Sequence, residues 1–305
     1  MLLHRLKQQI DRFFREEQAG FRSNRSCNEQ IFTPRNIIEQ SLESQTLLAV
    51  NFIDFKKAFD GVHRESLWKV AKLRGSHGKY VHIFKALYQN SRCCIRTSNR
   101  NTTMFDIMTG VRQSCVLFPF LFLLIIDFTM RKTMTNPVHG IKWKHDRLTD
   151  LDFADDIALL NDSHDSSQDM TTKLHDQPAR LGLRSSCEKT KAMSVALEQS
   201  PPVTVGQQTL EYVDNFPYLG SYISRTDDAE VDTRARLSKA ATPPNMEQQD
   251  HQHDHQVTSV QINCDSGSNL CSWYMERNKN FTYVRRLPPY MIAYHIVHLM
   301  ARPHY

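Results

Sequence analysis

The chain has 305 residues, of which 40% are hydrophobic and 38 basic against 33 acidic, for a formal net charge of +5. That length suggests one large domain or two smaller ones, and the mild basic excess permits a polyanionic partner without requiring one. Seven cysteines, an odd number with no pair at zinc-knuckle spacing, argue against a disulfide framework, and no basic start followed by an apolar stretch reads as a secretory signal.

In chain order, "LLHRLKQQIDRFFREEQ" has helical periodicity, with Leu3, Leu6, Ile10, Phe13 and Phe14 near one face. "NEQIFTPRNIIEQSLES" reads as helix interrupted at Pro34. "TLLAVNFIDF" is a short apolar strand ending at Asp54. "VHRESLWKVAKLRG" is a helix with Gly75 as its stop, and "HIFKALYQNSRCC" is another. "RCCIRTSNRNTTMFDIMTGV" looks like two strands around a polar turn. The longest apolar run, residues 116–126, contains Pro119 and is well short of the ~20 residues that a spanning helix needs, so it reads as a buried core helix and no membrane association is expected.

"RLTDLDFADDIALLND" follows as a hairpin, then "SQDMTTKLHDQPARLGL" as a helix weakened by Pro178, then the short strands "KTKAMSV" and "FPYLGSYIS". Strands mixed with helices over this length predict an α+β domain. From about residue 240 the character changes. "ATPPNMEQQDHQHDHQVTSVQINCDSGSNL" is dense in Gln, His, Asp and Pro and is expected to be poorly structured. Its "HQHDH" run reads as low complexity rather than as a metal site.

The chemistry starts at Asp155 and Asp156, two adjacent carboxylates in an apolar hairpin, each disfavouring ionisation of the other. Asp54 ends another apolar strand, and a sheet could bring all three together. Hard oxygen donors of this kind suit Mg²⁺ or Mn²⁺, and their chemical use is two-metal phosphoryl transfer. Alone, the pair reads as solvated turn aspartates. The neighbouring strings change that reading.

"QAGFRSNRSCNEQI", "FIDFKKAFD", "TGVRQSCVLFPFLF", "FADD", "LGLRSSCEKTKAM" and "YLGSYIS" occur in this order. Together they resemble reverse transcriptases, of the non-LTR (LINE-like) retrotransposon, endonuclease-reverse transcriptase type, over roughly residues 16–238. The resemblance implies a right-hand polymerase fold with an antiparallel sheet packed on helices. Residues 1–50 would be partial fingers, 51–238 the palm, and 239–305 a degenerate thumb or disordered tail.

It also implies RNA-directed DNA polymerase activity, in which a primer 3′-OH attacks the α-phosphate of a dNTP. RNA template, DNA primer and dNTPs would be the partners, with two Mg²⁺ ions (or Mn²⁺) as cofactors, in the nucleus or cytoplasm and not secreted. Asp54 and Asp155 match the metal-binding carboxylates and Asp156 the second acid of the motif. Phe55 would offer its backbone carbonyl to a metal. Phe59 matches the aromatic that selects deoxyribose, against a plain core phenylalanine. Gln113 matches the residue lying on the nascent base pair, against a turn glutamine. Arg22 resembles the triphosphate-binding arginine, against a solvated charge. Lys189 resembles the lysine near the leaving pyrophosphate, against a surface lysine. Tyr218, Leu219 and Gly220 resemble the primer grip.

Two positions depart from the family pattern: Ser114 stands where glycine is usual, and Phe118 stands before Pro119 where a helix-capping serine is usual. These departures, with the degenerate tail, predict little or no reverse transcription by the chain as it stands, despite Asp54 and Asp155. They keep open a second reading, a catalytically inactive remnant with a palm-like fold and weak nucleic-acid binding. A metal-dependent phosphohydrolase would use the same aspartates but lacks a water-activating constellation.

Overall fold

A computed structural model describes residues 2–96, 102–111, 117–143, 145–196 and 201–241, together with short strands at 261–264, 275–276 and 282–283. The chain divides into two compact units, Met1–Lys85 with Thr109–Thr242, and Ala86–Met108 with Pro243–Tyr305.

The first unit opens with helix α1 (Leu2–Ile10) and a 3₁₀ turn (Asp11–Phe13). The helix expected to run on to residue 18 stops there. Phe14 turns extended, and Arg15 is drawn instead to buried acids of the sheet. Helix α2 (Cys27–Ser44) starts at a capping box: Ser26 Oγ accepts from Glu29 N–H at 3.3 Å, and Glu29 Oε2 accepts from Ser26 N–H at 3.4 Å. Pro34 lies inside this helix without interrupting it, contrary to the sequence expectation. The missing N–H costs one helical bond, but burial of Ile37 and Ile38 on the same helix holds it in place.

Strand β1 (Leu48–Ile53) is buried at every position because both faces of its sheet are covered. Leu48, Val50 and Phe52 join Ile37 and Ile38 of α2 in one apolar cluster. On the opposite face Asn51 donates to Ser167 and Thr171, each at 2.7 Å. Helices α3 (Ala58–Gly61), α4 (Arg64–Leu73) and α5 (Gly78–Tyr88) follow. Gly75, at φ +81°, ends α4 as expected.

The helix predicted to reach residue 94 ends at Tyr88. Its last residues belong to strand β2 (Arg92–Arg96), which pairs with β3 (Phe105–Asp106) in the second unit. The polar turn between these strands includes residues 97–101, outside the described residues.

Helix α6 (Phe118–Thr133) is the predicted core helix, buried on nearly all sides. Its one interior acid, Asp127, accepts from Arg74, Arg131 and the Arg15 N–H. No helix among the described residues is long and apolar enough to cross a membrane. A hairpin of β4 (Ile141–Trp143) and β5 (Asp146–Leu148) leads to β6 (Asp150–Phe153) and β7 (Asp156–Asn161). Helix α7 (His164–Asp176) carries Ser167 and Thr171. It breaks at Pro178, where a 3₁₀ turn (Pro178–Leu181) takes over.

Next come β8 (Lys191–Val195), the short strands β9 (Thr204–Val205), β10 (Gln208–Thr209) and β11 (Glu211–Tyr212), and a hairpin of β12 (Asn215–Tyr218) and β13 (Ser221–Ser224). Helix α8 (Ala229–Ala241) closes the unit.

The central sheet runs β11-β8-β1-β7-β6, antiparallel except for the β11–β8 pair. This is the α+β architecture expected, with helices on both faces. Beyond residue 241 the described strands are β14 (Gln261–Cys264), which pairs with β2, and the mutual pair β15 (Met275–Glu276) and β16 (Thr282–Tyr283). The Gln261–Cys264 strand falls inside the stretch expected to be poorly structured. Apart from these three strands, residues 242–305, including His251–His255, lie outside the described residues.

Candidate active site

The register of the two central strands decides where the acids fall. Strands β1 and β7 pair Val50 with Leu160, Phe52 with Ala158 and Ile53 with Ile157. One further step places Asp54 opposite Asp156. Asp155 is the neighbouring residue in the turn, since β6 and β7 pair Phe153 with Asp156 and leave only Ala154 and Asp155 between them. Carboxylates a hundred positions apart in sequence therefore share one end of the sheet. The aliphatic residues behind them, Ile53 and Ile157, are buried. Asp54 and Asp155 are part-exposed and Asp156 is exposed, so a ligand can reach them.

The segment after β1 is held by the turn that carries Lys189. Asp54 N–H donates to Thr190 Oγ1 at 3.3 Å, Ser186 N–H donates to the Asp54 carbonyl at 2.7 Å, and Lys56 N–H donates to the Arg184 carbonyl at 2.7 Å. Phe55 bridges Ser185 between these last two bonds, neither of which uses the Phe55 carbonyl. Lys189 Nζ stands 3.9 Å from Asp54 Oδ1, with 72% of its side chain exposed. At that distance and exposure the pair adds little stability. Its consequence is placement, because a cation is kept beside the acids and free to swing.

The hairpin tip is fixed from outside the sheet. Residues 17–19 run alongside β6: Asp152 N–H donates to the Glu17 carbonyl at 3.1 Å, and Ala19 N–H donates to the Asp152 carbonyl at 2.8 Å. Arg15, nine-tenths buried, donates to both Asp150 and Asp152. Burial opposes the Arg15 charge, but the two acids outweigh it and raise its pKa. Burial, with Asp150 beside it, pushes Asp152 well above the usual carboxylate range, and Arg15 only partly offsets this. Sequence reasoning missed Arg15, Gln18 and Gly20. The available signal was a glutamine and a glycine two residues apart in "QAGFRSNRSCNEQI", a string that carried the resemblance without a role for either residue.

The donor set fits a hard divalent cation: carboxylates at a solvent-facing sheet end, with a backbone carbonyl beside them. Among the described residues no group of three or more His, Cys, Asp and Glu side chains is placed to hold a metal ion.

The reverse transcriptase (RNA-dependent DNA polymerase) family matches this chain over residues 1–223. The chain belongs to the reverse transcriptase family. The Pol polyprotein of the type-1 retrotransposable element R2 of Nasonia vitripennis is 25% identical over 185 residues, which are 57% of this chain and 18% of that protein. The Pol polyprotein of element R2DM of Drosophila melanogaster is 22% identical over 220 residues, 68% of this chain and 21% of that one. The chain thus spans about a fifth of the length of the curated relatives it matches.

Telomerase from Candida tropicalis in complex with a TWJ fragment of telomeric RNA superposes with a TM-score of 0.56 at 13% identity, covering 74% of this chain and 36% of that one. At that identity the likeness concerns the fold: the chain has the palm of this polymerase class. The resemblance to non-LTR retrotransposon reverse transcriptases read from the sequence therefore holds.

Within this reverse transcriptase palm the remaining candidates separate. Phe59 is buried on α3, its ring against Phe118 at 4.8 Å and Phe122 at 4.4 Å between centroids. Phe118, which stands where a helix-capping serine is usual in the family, is itself a buried partner of Phe59. Leu117 precedes α6 without a side-chain cap, so burial rather than capping holds that helix start. Arg22 is turned inward: its guanidinium donates to the Arg15 and Gln18 carbonyls at 2.7 and 2.9 Å, and it pairs with Asp11 at 3.3 Å. Its bonds fasten the segment flanking the hairpin. Gln113 and Ser114 lie outside the described residues. Tyr218 is buried, its hydroxyl donating to the Leu151 carbonyl at 3.2 Å. Leu219 and Gly220 form a two-residue turn with φ of +51° and +82°, the geometry that favours glycine.

Proposed function

We propose that this chain is the RNA-directed DNA polymerase domain of a non-LTR retrotransposon, with partial fingers and a palm that transfers a nucleotide from a dNTP to a primer 3′-OH on an RNA template. The observation that carries the reading is the strand register that sets Asp54 against Asp156 beside Asp155, with Lys189 next to Asp54.

Asp54 and Asp155 would hold two Mg²⁺ ions, with the Phe55 carbonyl and Asp156 close by. When bound, such ions lower the pKa of the attacking hydroxyl and neutralise charge on the departing pyrophosphate. The chain's own part is to keep the carboxylates at a rigid sheet end, so that little reorganisation is needed at the moment of reaction. Lys189 presents its ammonium to the pyrophosphate side, where it donates a proton to the leaving group. Phe59, buried against Phe118 and Phe122, would stand as a rigid wall beneath the sugar.

Extension of a DNA primer on an RNA template, compared between the parent chain and Asp54→Asn, tests this reading. The expected result is weak but measurable extension that the variant lacks. A second reading, a palm that binds cations and nucleic acid without turnover, draws on Ser114 and on the inward use of Arg22. It predicts Mn²⁺ binding without extension.

A further inference from the structure

The turn that carries Asp155 has an unusual conformation and an unusual support. Ala154 adopts φ +62°, a region in which a residue with a Cβ is disfavoured and which glycine would occupy at less cost. Nothing in β6 or β7 explains why an alanine stays there.

The explanation lies in Gln18, whose side chain is fully buried. Its Oε1 accepts from the Ala154 N–H at 2.9 Å and from the Gly20 N–H at 2.8 Å, while its Nε2 donates to the Ala154 carbonyl at 3.3 Å. One carboxamide thus satisfies both main-chain groups of the strained residue. Glycine is required next to it, because a Cβ on Gly20 would sit 2.3 Å from Ala154 N. The segment carrying Gln18 is itself held on two sides, by the ladder of Glu17 and Ala19 with Asp152 and by the Gln30 side chain donating to the Glu17 carbonyl at 3.2 Å.

We propose that Gln18 is a positioning residue for the cation site: by gripping both backbone groups of Ala154 it fixes the turn, and with it the direction in which Asp155 presents its carboxylate. This rests on the reading of Asp155 as a cation ligand. Two observations support it beyond ordinary packing. The grip falls on the residue immediately before Asp155, and it is made by a side chain rather than by the strand ladder, so it can be removed without unpairing β6 from β7. Groups that orient a metal ligand from behind typically change affinity about 10–100-fold when removed.

The test uses the full chain and Mn²⁺ alone. Amide hydrogen exchange is followed at Ala154 and Gly20, and Mn²⁺ affinity is measured by electron paramagnetic resonance. In Gln18→Met, which keeps volume and removes the bonds, the Ala154 amide should exchange at least about tenfold faster and Mn²⁺ binding should weaken about 10–100-fold. If that variant does not fold, Gln18→Asn, whose carboxamide falls one methylene short, gives the same two readouts. Ser41→Ala removes a comparable bond on α2, to the Thr46 carbonyl, and should leave both unchanged. Faster exchange at Ala154 with parental Mn²⁺ affinity overturns the positioning role, and unchanged exchange overturns the grip itself. Asp155→Asn separates the two proposals. Parental Mn²⁺ affinity there sinks the reading of Asp155 and this inference with it. Loss there with retention in Gln18→Met sinks only the inference.

Discussion

The rings of Phe59 and Phe118 meet with centroids 4.8 Å apart and planes inclined at 58°, both side chains buried. The sequence alone suggested separate readings, Phe59 as the sugar-selecting aromatic and Phe118 as a departure from a capping serine. The packing makes them one unit: the helix start at Phe118 forms the wall on which Phe59 rests. Phe118→Ser, which restores the residue usual in the family, therefore removes core without supplying a cap, because Leu117 holds the cap position. We expect a loss of about 3–5 kcal/mol for Phe118→Ser and for Phe59→Ala. The double variant should lose less than the sum, since the two share one contact. Urea denaturation measures this, and strict additivity would show that the rings do not support each other.

Asp150 and Asp152 are both buried against the single guanidinium of Arg15. Asp152 has its pKa raised in the folded state, by burial first and then by Asp150. The folded chain keeps a proton that the unfolded chain releases, so stability falls as pH rises from the ordinary carboxylate range through the folded-state value. Asp152→Asn cannot lose that proton and can still bond Asp150. The variant should gain on the parent as pH is raised from about 4 to 8. A difference that stays constant, or reverses in sign with rising pH, contradicts this account of the buried pair.

Lys189 is exposed and touches only one edge of Asp54. Lys189→Gln should leave stability within about 0.5 kcal/mol of the parent and slow primer extension about 100-fold, the scale of a lost general acid. Lys189→Arg keeps the charge and should recover part of the rate. Equal rates in the parent and the Gln variant would return Lys189 to the solvated surface.

Much of this was legible in the sequence because it is local. The strand ending at Asp54 and the Asp155–Asp156 hairpin follow from short apolar runs with acids at their ends, and the break at Pro178 follows from a missing N–H. What was not legible depends on partners far away. The first helix ends early because Arg15 answers Asp150 and Asp152, some 135 positions on. Pro34 is tolerated because Ile37 and Ile38 anchor its helix from the sheet side. Arg22 reads as a free cation until Asp11 and the Arg15 and Gln18 carbonyls are seen around it. Gln18 opens the string "QAGFRSNRSCNEQI", but its role exists only once Ala154 is folded against it.

The most direct test of the central claim is single-nucleotide extension of a DNA primer on an RNA template by the parent chain and by Asp155→Asn, with the fold of both checked by circular dichroism. The account predicts measurable extension by the parent and none above background by the variant, with the two spectra alike. Near-parental extension by a folded Asp155→Asn chain would contradict it.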